Sequence, residues 1–181
     1  MLIVDSQHLN QIVAEAQNLF PHECCGFLLG RFVEGGRRVD QVLPAVNEAA
    51  GRKRSRFFIS PAQRLAVEQE RRNMDIVGFY HSHPDGGAYF SETDLRHSEE
   101  YRYGKPWVPP TFSYLVIGLK AGKRPDYGSF IVRDGVSLRE ETVILPGVAR
   151  TTGSKSRRAA GPPQSRDVSP SSAPVPAFVK F

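Results

Sequence analysis

Between Asp5 and Phe20 the apolar side chains fall at Leu9, Ile12, Val13, Ala16, Leu19 and Phe20, the i, i+3, i+4 spacing of an amphipathic helix. Asp5 or Ser6 can cap its start, and Pro21 stops it. The segment Cys24–Val33 is apolar and too short before Gly35-Gly36 to be a second helix, so it reads as a buried strand with Arg38–Val46 as its hairpin partner. Glu23 then stands at the very start of that strand. A short strand is expected at Arg56–Ile59. Ser60-Pro61 follows, a cap with proline at the first helical position, which opens a helix to about Met74.

Ile76–Tyr80 is a short apolar run that leads into His81-Ser82-His83-Pro84, so a central strand is expected to carry the histidines at its C-terminal end. The loop 85–90 contains Gly86-Gly87 and precedes Ser91-Glu92-Thr93-Asp94, a Ser-x-x-acid pattern that predicts a helix from about Glu92 to Tyr101. Phe112–Leu119, Tyr127–Arg133 and Val136–Leu145 read as three further strands separated by turn residues. The expected fold is α/β (α+β), a mixed and mostly antiparallel sheet flanked by helices.

Composition divides this picture in two. A chain of 181 residues with 40% hydrophobic content suits one compact domain, placed at 1–146, and a tail at 147–181. That tail is rich in Ser, Pro, Ala and Arg and is expected to be disordered, because it holds too little apolar surface to offset its ordering entropy. The formal charge of +5 belongs to it: residues 1–146 hold 18 Lys and Arg against 18 Asp and Glu, and residues 147–181 hold 6 against 1. A nucleic-acid partner is therefore not expected. No apolar run approaches the roughly 20 residues that span a bilayer, and no secretory leader pattern opens the chain. With only Cys24 and Cys25, adjacent in sequence, no disulfide framework is expected, and the cytoplasm is the expected address.

The chemistry concentrates after the central strand. A catalytic zinc site takes three protein ligands and keeps one position open, and His-x-His on an extended segment turns both imidazoles to one side. His81 and His83 have that spacing, and Asp94, in the first turn of the helix after a short glycine-containing loop, is near enough to be folded back as the third ligand. The helix N-terminus favours its carboxylate. Each feature has an ordinary explanation when taken singly: His-x-His is common, Ser91 with Asp94 is a capping pattern, and one glutamate at a strand start is unremarkable. Their combination is specific.

His81-Ser82-His83-Pro84, six further residues and Ser91-x-x-Asp94 resemble the signature of the JAMM (JAB1/MPN/Mov34) metallopeptidase family. Pro21-His22-Glu23-Cys24-Cys25-Gly26 is similar to the upstream glutamate segment of its bacterial members. The resemblance covers roughly residues 1–145 and implies the MPN/JAB fold, related to that of cytidine deaminases. It further implies one zinc per chain on His81, His83 and Asp94, Glu23 as general acid/base, and the Ser91 hydroxyl as oxyanion stabiliser. The implied substrate is a small ubiquitin-like or sulfur-carrier protein, cut after its C-terminal Gly-Gly. The alternative is a non-catalytic scaffold or binding module of the same fold, or a RadC-like protein.

A zinc nucleobase deaminase needs His-x-Glu and Pro-Cys-x-x-Cys, and neither occurs. Cys24 and Cys25 are expected to be small buried strand residues rather than ligands. His97, three residues after Asp94, is expected at the surface, with a place behind the metal ligands as the other possibility. Arg52-Lys53-Arg54-Ser55-Arg56 reads as a solvated loop able to steer an acidic carrier.

Overall fold

The computed structural model describes residues 1–71, 73–98 and 111–147. Expectations for the tail, and for the helix beyond Ser98, fall outside these residues. The elements run β1 (Leu2–Asp5), α1 (Ser6–Leu19), β2 (Cys25–Val33), β3 (Gly36–Ala45), α2 (Pro61–Glu70), β4 (Asp75–His83), α3 (Glu92–His97), β5 (Ser113–Gly118), β6 (Asp126–Arg133), β7 (Val136–Glu140) and β8 (Thr142–Leu145). One sheet holds all eight strands in the order β7-β6-β5-β4-β2-β3-β1-β8. Pairing is parallel for β4 with β5, β1 with β3 and β1 with β8, and antiparallel elsewhere, giving the expected mixed sheet. None of the described helices is long and apolar enough to cross a membrane.

The middle strands are covered on both faces, which is why β2, β4 and β5 read as continuous apolar runs. Leu28, Val77, Tyr80, Leu115 and Ile117 pack on one side with Leu9, Ile12 and Ala16 of α1. Phe27, Ile76, Phe79, Tyr114 and Val116 pack on the other with Val67 of α2 and Leu95 of α3. Alternation along β4 therefore sends His81 and His83 to the α2/α3 face, the side of Phe79. Gly26 lies opposite Tyr80 in the register, and a Cβ there would collide with the Tyr80 ring.

Local capping follows the sequence. Asp5 Oδ1 accepts from Gln7 N–H at 2.8 Å, and Ser60 caps α2 ahead of Pro61. Three expectations need correction. The helix from Pro61 ends at Glu70, short of Met74. Residues 56–59 form no strand, because Phe58 N–H donates to the Asn47 side chain at 3.2 Å and only the Phe58 carbonyl takes a backbone partner, Glu48 N–H at 2.9 Å.

The expected strand Val136–Leu145 is two strands. β7 pairs with β6 at one edge of the sheet, and β8 pairs with β1, a strand the sequence reading missed, at the other. The two are separated at Glu141, and Glu140, the last residue of β7, turns its carboxylate into a buried cluster. It accepts from Ser113 Oγ at 2.6 Å and Ser129 Oγ at 2.7 Å, and it pairs with Arg37 at 3.0 Å. Arg37 Nη2 also donates to Thr111 Oγ1 at 2.9 Å. The sheet curls until β3 on one flank and β5, β6 and β7 on the other meet in this cluster.

Candidate metal centre

His81 Nε2 and His83 Nε2 stand 3.1 Å apart, and Asp94 Oδ2 lies 3.4 Å from each. All three side chains are buried. Roughly 2.0–2.1 Å bonds to a tetrahedral zinc would separate two ligand atoms by roughly 3.3–3.4 Å, so these spacings fit that ion. Tautomers agree with this. The Gly87 carbonyl can only accept, so its 3.2 Å contact with His83 Nδ1 fixes the proton there and leaves the Nε2 lone pair facing the cluster. Two imidazoles and a carboxylate that converge in a buried space form a donor set that a cation would hold together, with a proton on an imidazole in its place when no ion is bound.

The ionisation of the centre follows from the same geometry. Burial lowers His81 and keeps it neutral, as a ligand must be. Burial also opposes charge on His83, but Asp94, Glu23 and the Gly87 carbonyl outweigh it, and His83 is raised. Burial would raise Asp94 too, yet the two histidines and Ser91 hold it well below the usual carboxylate range.

Asp94 is positioned by α3. Ser91 Oγ accepts the Asp94 N–H at 3.1 Å, and Asp94 Oδ2 accepts the Ser91 N–H at 2.8 Å, a complete capping box. The capping explanation and the ligand explanation of Ser91-x-x-Asp94 thus describe one arrangement. The bond to Ser91 uses a hydroxyl lone pair, so its proton is free to be donated elsewhere.

Glu23 lies near enough to the centre to feel the charges of His83 and Asp94. It lies two residues before β2 and is 6% exposed, and its carboxyl is pushed up to about 7, chiefly by burial, with His83 opposing the rise and Asp94 adding to it. Ser82, between the two histidines, clamps this segment: its Oγ accepts from Cys24 N–H at 2.9 Å and its N–H donates to the Cys24 carbonyl at 3.1 Å. Cys24 and Cys25 are fully buried, and burial pushes the Cys24 thiol up to about 12 and raises Cys25 as well, so neither is a thiolate at neutral pH.

Supporting residues come from the segments 47–58 and 85–90, where no sequence pattern points to a role in the site. Asn47 Nδ2 donates to the Glu23 and Arg56 carbonyls, both at 3.0 Å, while its Oδ1 accepts from Ala49 and Phe58. Lys53 carbonyl accepts from Glu23 N–H at 2.7 Å. Phe57 stacks on His81 with centroids 4.6 Å apart, and Tyr89 packs on His83 at 4.7 Å. A cavity of about 160 Å³ opens beside Asp94, walled by Phe27, Phe57, Phe58, Phe79, Phe90 and Tyr114. His97 also lines it but is exposed, and its ring contacts the Thr93 carbonyl.

Residues 5–129, which include all five of these candidate site positions, match the family described as prokaryotic homologs of the JAB domain. The chain belongs to the prokaryotic JAB-domain family. This JAB domain is 28% identical over 147 residues to proteins named CysO-cysteine peptidase from Mycobacterium bovis and Mycobacterium tuberculosis, matching 80% of the chain and 92% of each relative. Two solution structures are similar to it. One, of a Desulfitobacterium hafniense protein, is 26% identical with a TM-score of 0.67, over 82% of this chain and 95% of that one. The other, from Salinibacter ruber, is 27% identical with a TM-score of 0.55, over 78% and 90% respectively.

Proposed function

We propose that this JAB-domain protein is a zinc-dependent peptidase that hydrolyses the bond after the C-terminal Gly-Gly of a ubiquitin-like or sulfur-carrier protein, with one zinc on His81, His83 and Asp94. The convergence of those three ligand atoms beside a buried carboxylate carries the reading. When bound there, zinc supplies Lewis-acid polarisation of the scissile carbonyl and acidifies the attacking water. Glu23 takes the proton from that water as its oxygen adds to the carbonyl carbon. A carboxyl with a pKa near neutrality suits both halves of this task. As the C–N bond breaks, Glu23 returns the proton to the departing amine and is a carboxylate again. Ser91 donates a hydrogen bond from its hydroxyl to the carbonyl oxygen while that atom carries negative charge. Glycines suit a tail that must pass close to the centre, because they bring backbone close without side-chain bulk.

The substrate class is supported by the relatives named CysO-cysteine peptidase, a name for cleavage of a CysO-cysteine conjugate. The test is cleavage of a carrier–cysteine conjugate, read by mass spectrometry, with metal content measured alongside. His83→Ala should lose zinc and activity together. Glu23→Gln should keep zinc while turnover falls by about 10²–10⁴-fold. A wild-type protein that binds zinc yet leaves every such conjugate intact would point to the non-catalytic binding module instead.

A further inference from the structure

Arg52, Lys53, Arg54, Ser55 and Arg56 form an exposed turn with four cations, closed by Ser55 N–H donating to the Arg52 carbonyl at 3.0 Å. A basic run of this kind is ordinarily a solvated loop. Here the backbone is built into the centre. The Lys53 carbonyl holds Glu23 N–H at 2.7 Å, the Arg56 carbonyl takes the Asn47 amide at 3.0 Å, and the next residue, Phe57, stacks on His81. Arg54 pairs with Asp85 at 2.9 Å, two residues past His83, which places the turn beside the segment that carries the histidines. Among the described residues, Arg52, Lys53 and Arg56 have no acidic partner. Since residues 1–146 balance 18 basic against 18 acidic side chains, this edge is a local field rather than part of a generally basic surface.

We infer that this turn is the docking edge for an acidic face on the body of the small folded protein whose tail enters the centre. This inference rests on the peptidase reading above. A Gly-Gly tail offers no side chains to discriminate one carrier from another, so selection between carriers falls to contacts with the folded body. Rim charges supply that kind of selection, because complementary charge speeds encounter and juxtaposed like charge rejects the wrong partner. Screening confines the effect to about 8–10 Å at physiological salt, so the acidic face must lie close to where the tail leaves the carrier.

The test compares two substrates on the full zinc-loaded chain: an acidic ubiquitin-like carrier ending in Gly-Gly-cysteine, and a short peptide with the same ending. Arg52→Glu/Lys53→Glu/Arg56→Glu should lower the carrier-to-peptide ratio of kcat/KM by about tenfold or more at low salt. Raising salt from about 50 to 300 mM should lower the wild-type ratio and raise the reversed variant's, because attraction and repulsion are screened alike. A carrier with its acidic face changed to lysine should restore the ratio for the reversed enzyme. A ratio indifferent to both charge reversal and salt overturns the inference. Should the reversed protein fail to fold, Arg52→Gln/Arg56→Gln repeats the comparison with smaller expected changes. If the wild type cuts neither substrate, the peptidase reading fails, and fluorescence anisotropy of the labelled carrier still decides the turn's role. Weaker carrier binding after reversal supports the docking edge. Equal binding overturns it, as does a turn that binds a single-stranded oligonucleotide but not the carrier.

Discussion

Burial drives the Glu23 carboxyl up to about 7, against the opposing influence of His83 and with the reinforcement of Asp94. A carboxyl raised in the folded state is bound to its proton more tightly there than in the unfolded chain. In the metal-free protein its contribution is therefore intact below about pH 4.5, is lost as pH rises towards 7, and stays lost above that. The loss amounts to about 3 kcal/mol at most. Glu23→Gln removes the titration, so the metal-free variant should be more stable than wild type at pH 8 and little different at pH 4.5. Urea denaturation at the two pH values measures this, and equal stability at pH 8 would mean a better-solvated carboxyl than its burial implies. The same substitution that removes the proposed acid/base should thus strengthen the fold.

Among the elements, the loop between β3 and α2 has one side chain at its junction with Glu23. Asn47 makes two donor and two acceptor bonds that tie Glu23, Ala49, Arg56 and Phe58 together. Asn47→Ala should cost about 2 kcal/mol and lower turnover with zinc retained. Asn47→Asp keeps the acceptors and loses the donors, so it should release the Glu23 carbonyl while leaving residues 49 and 58 fastened. An Asp variant with wild-type turnover would show that the grip on Glu23 is dispensable. This loop also marks where sequence reading stopped. Periodicity identified α1 and the cores of β2, β4 and β5, and the cap residues opened α2 and α3 correctly. Residues 56–59 misled because an extended segment satisfied by a side chain has the same apolar pattern as one satisfied by a strand. β1 was missed because four residues are too few for a period to register. His81, His83 and Asp94 could be grouped from their spacing, whereas Asn47, Phe57 and Tyr89 have no local signature and are brought to the centre only by tertiary folding.

At the scale of the whole sheet, β7 and β8 are consecutive in sequence yet lie at opposite edges, and the buried Arg37–Glu140 pair sits where those edges converge. Removing one partner leaves an uncompensated charge in a dry place, so Glu140→Ala should destabilise by about 3–5 kcal/mol. Glu140→Gln, which still accepts from Ser113 and Ser129, should cost less. Thermal unfolding of the two variants ranks them, and equal losses would assign the effect to packing rather than charge. Arg37 and Glu140 are 103 residues apart, so no local pattern marks this cluster.

One oxygen atom, Asp94 Oδ2, both closes the first turn of α3 and faces the two imidazoles. A helix of six residues is too short to persist on its own. On the proposed zinc assignment, ion release and fraying of this turn would be coupled steps of a single equilibrium, and by thermodynamic reciprocity whatever loosens one would loosen the other. Amide exchange at Asp94 and Leu95 should report zinc occupancy directly, slow when the ion is held and fast after chelation. Scarcity of the metal would then register as a local melting transition beside the aromatic cavity, before any change reaches the rest of the sheet.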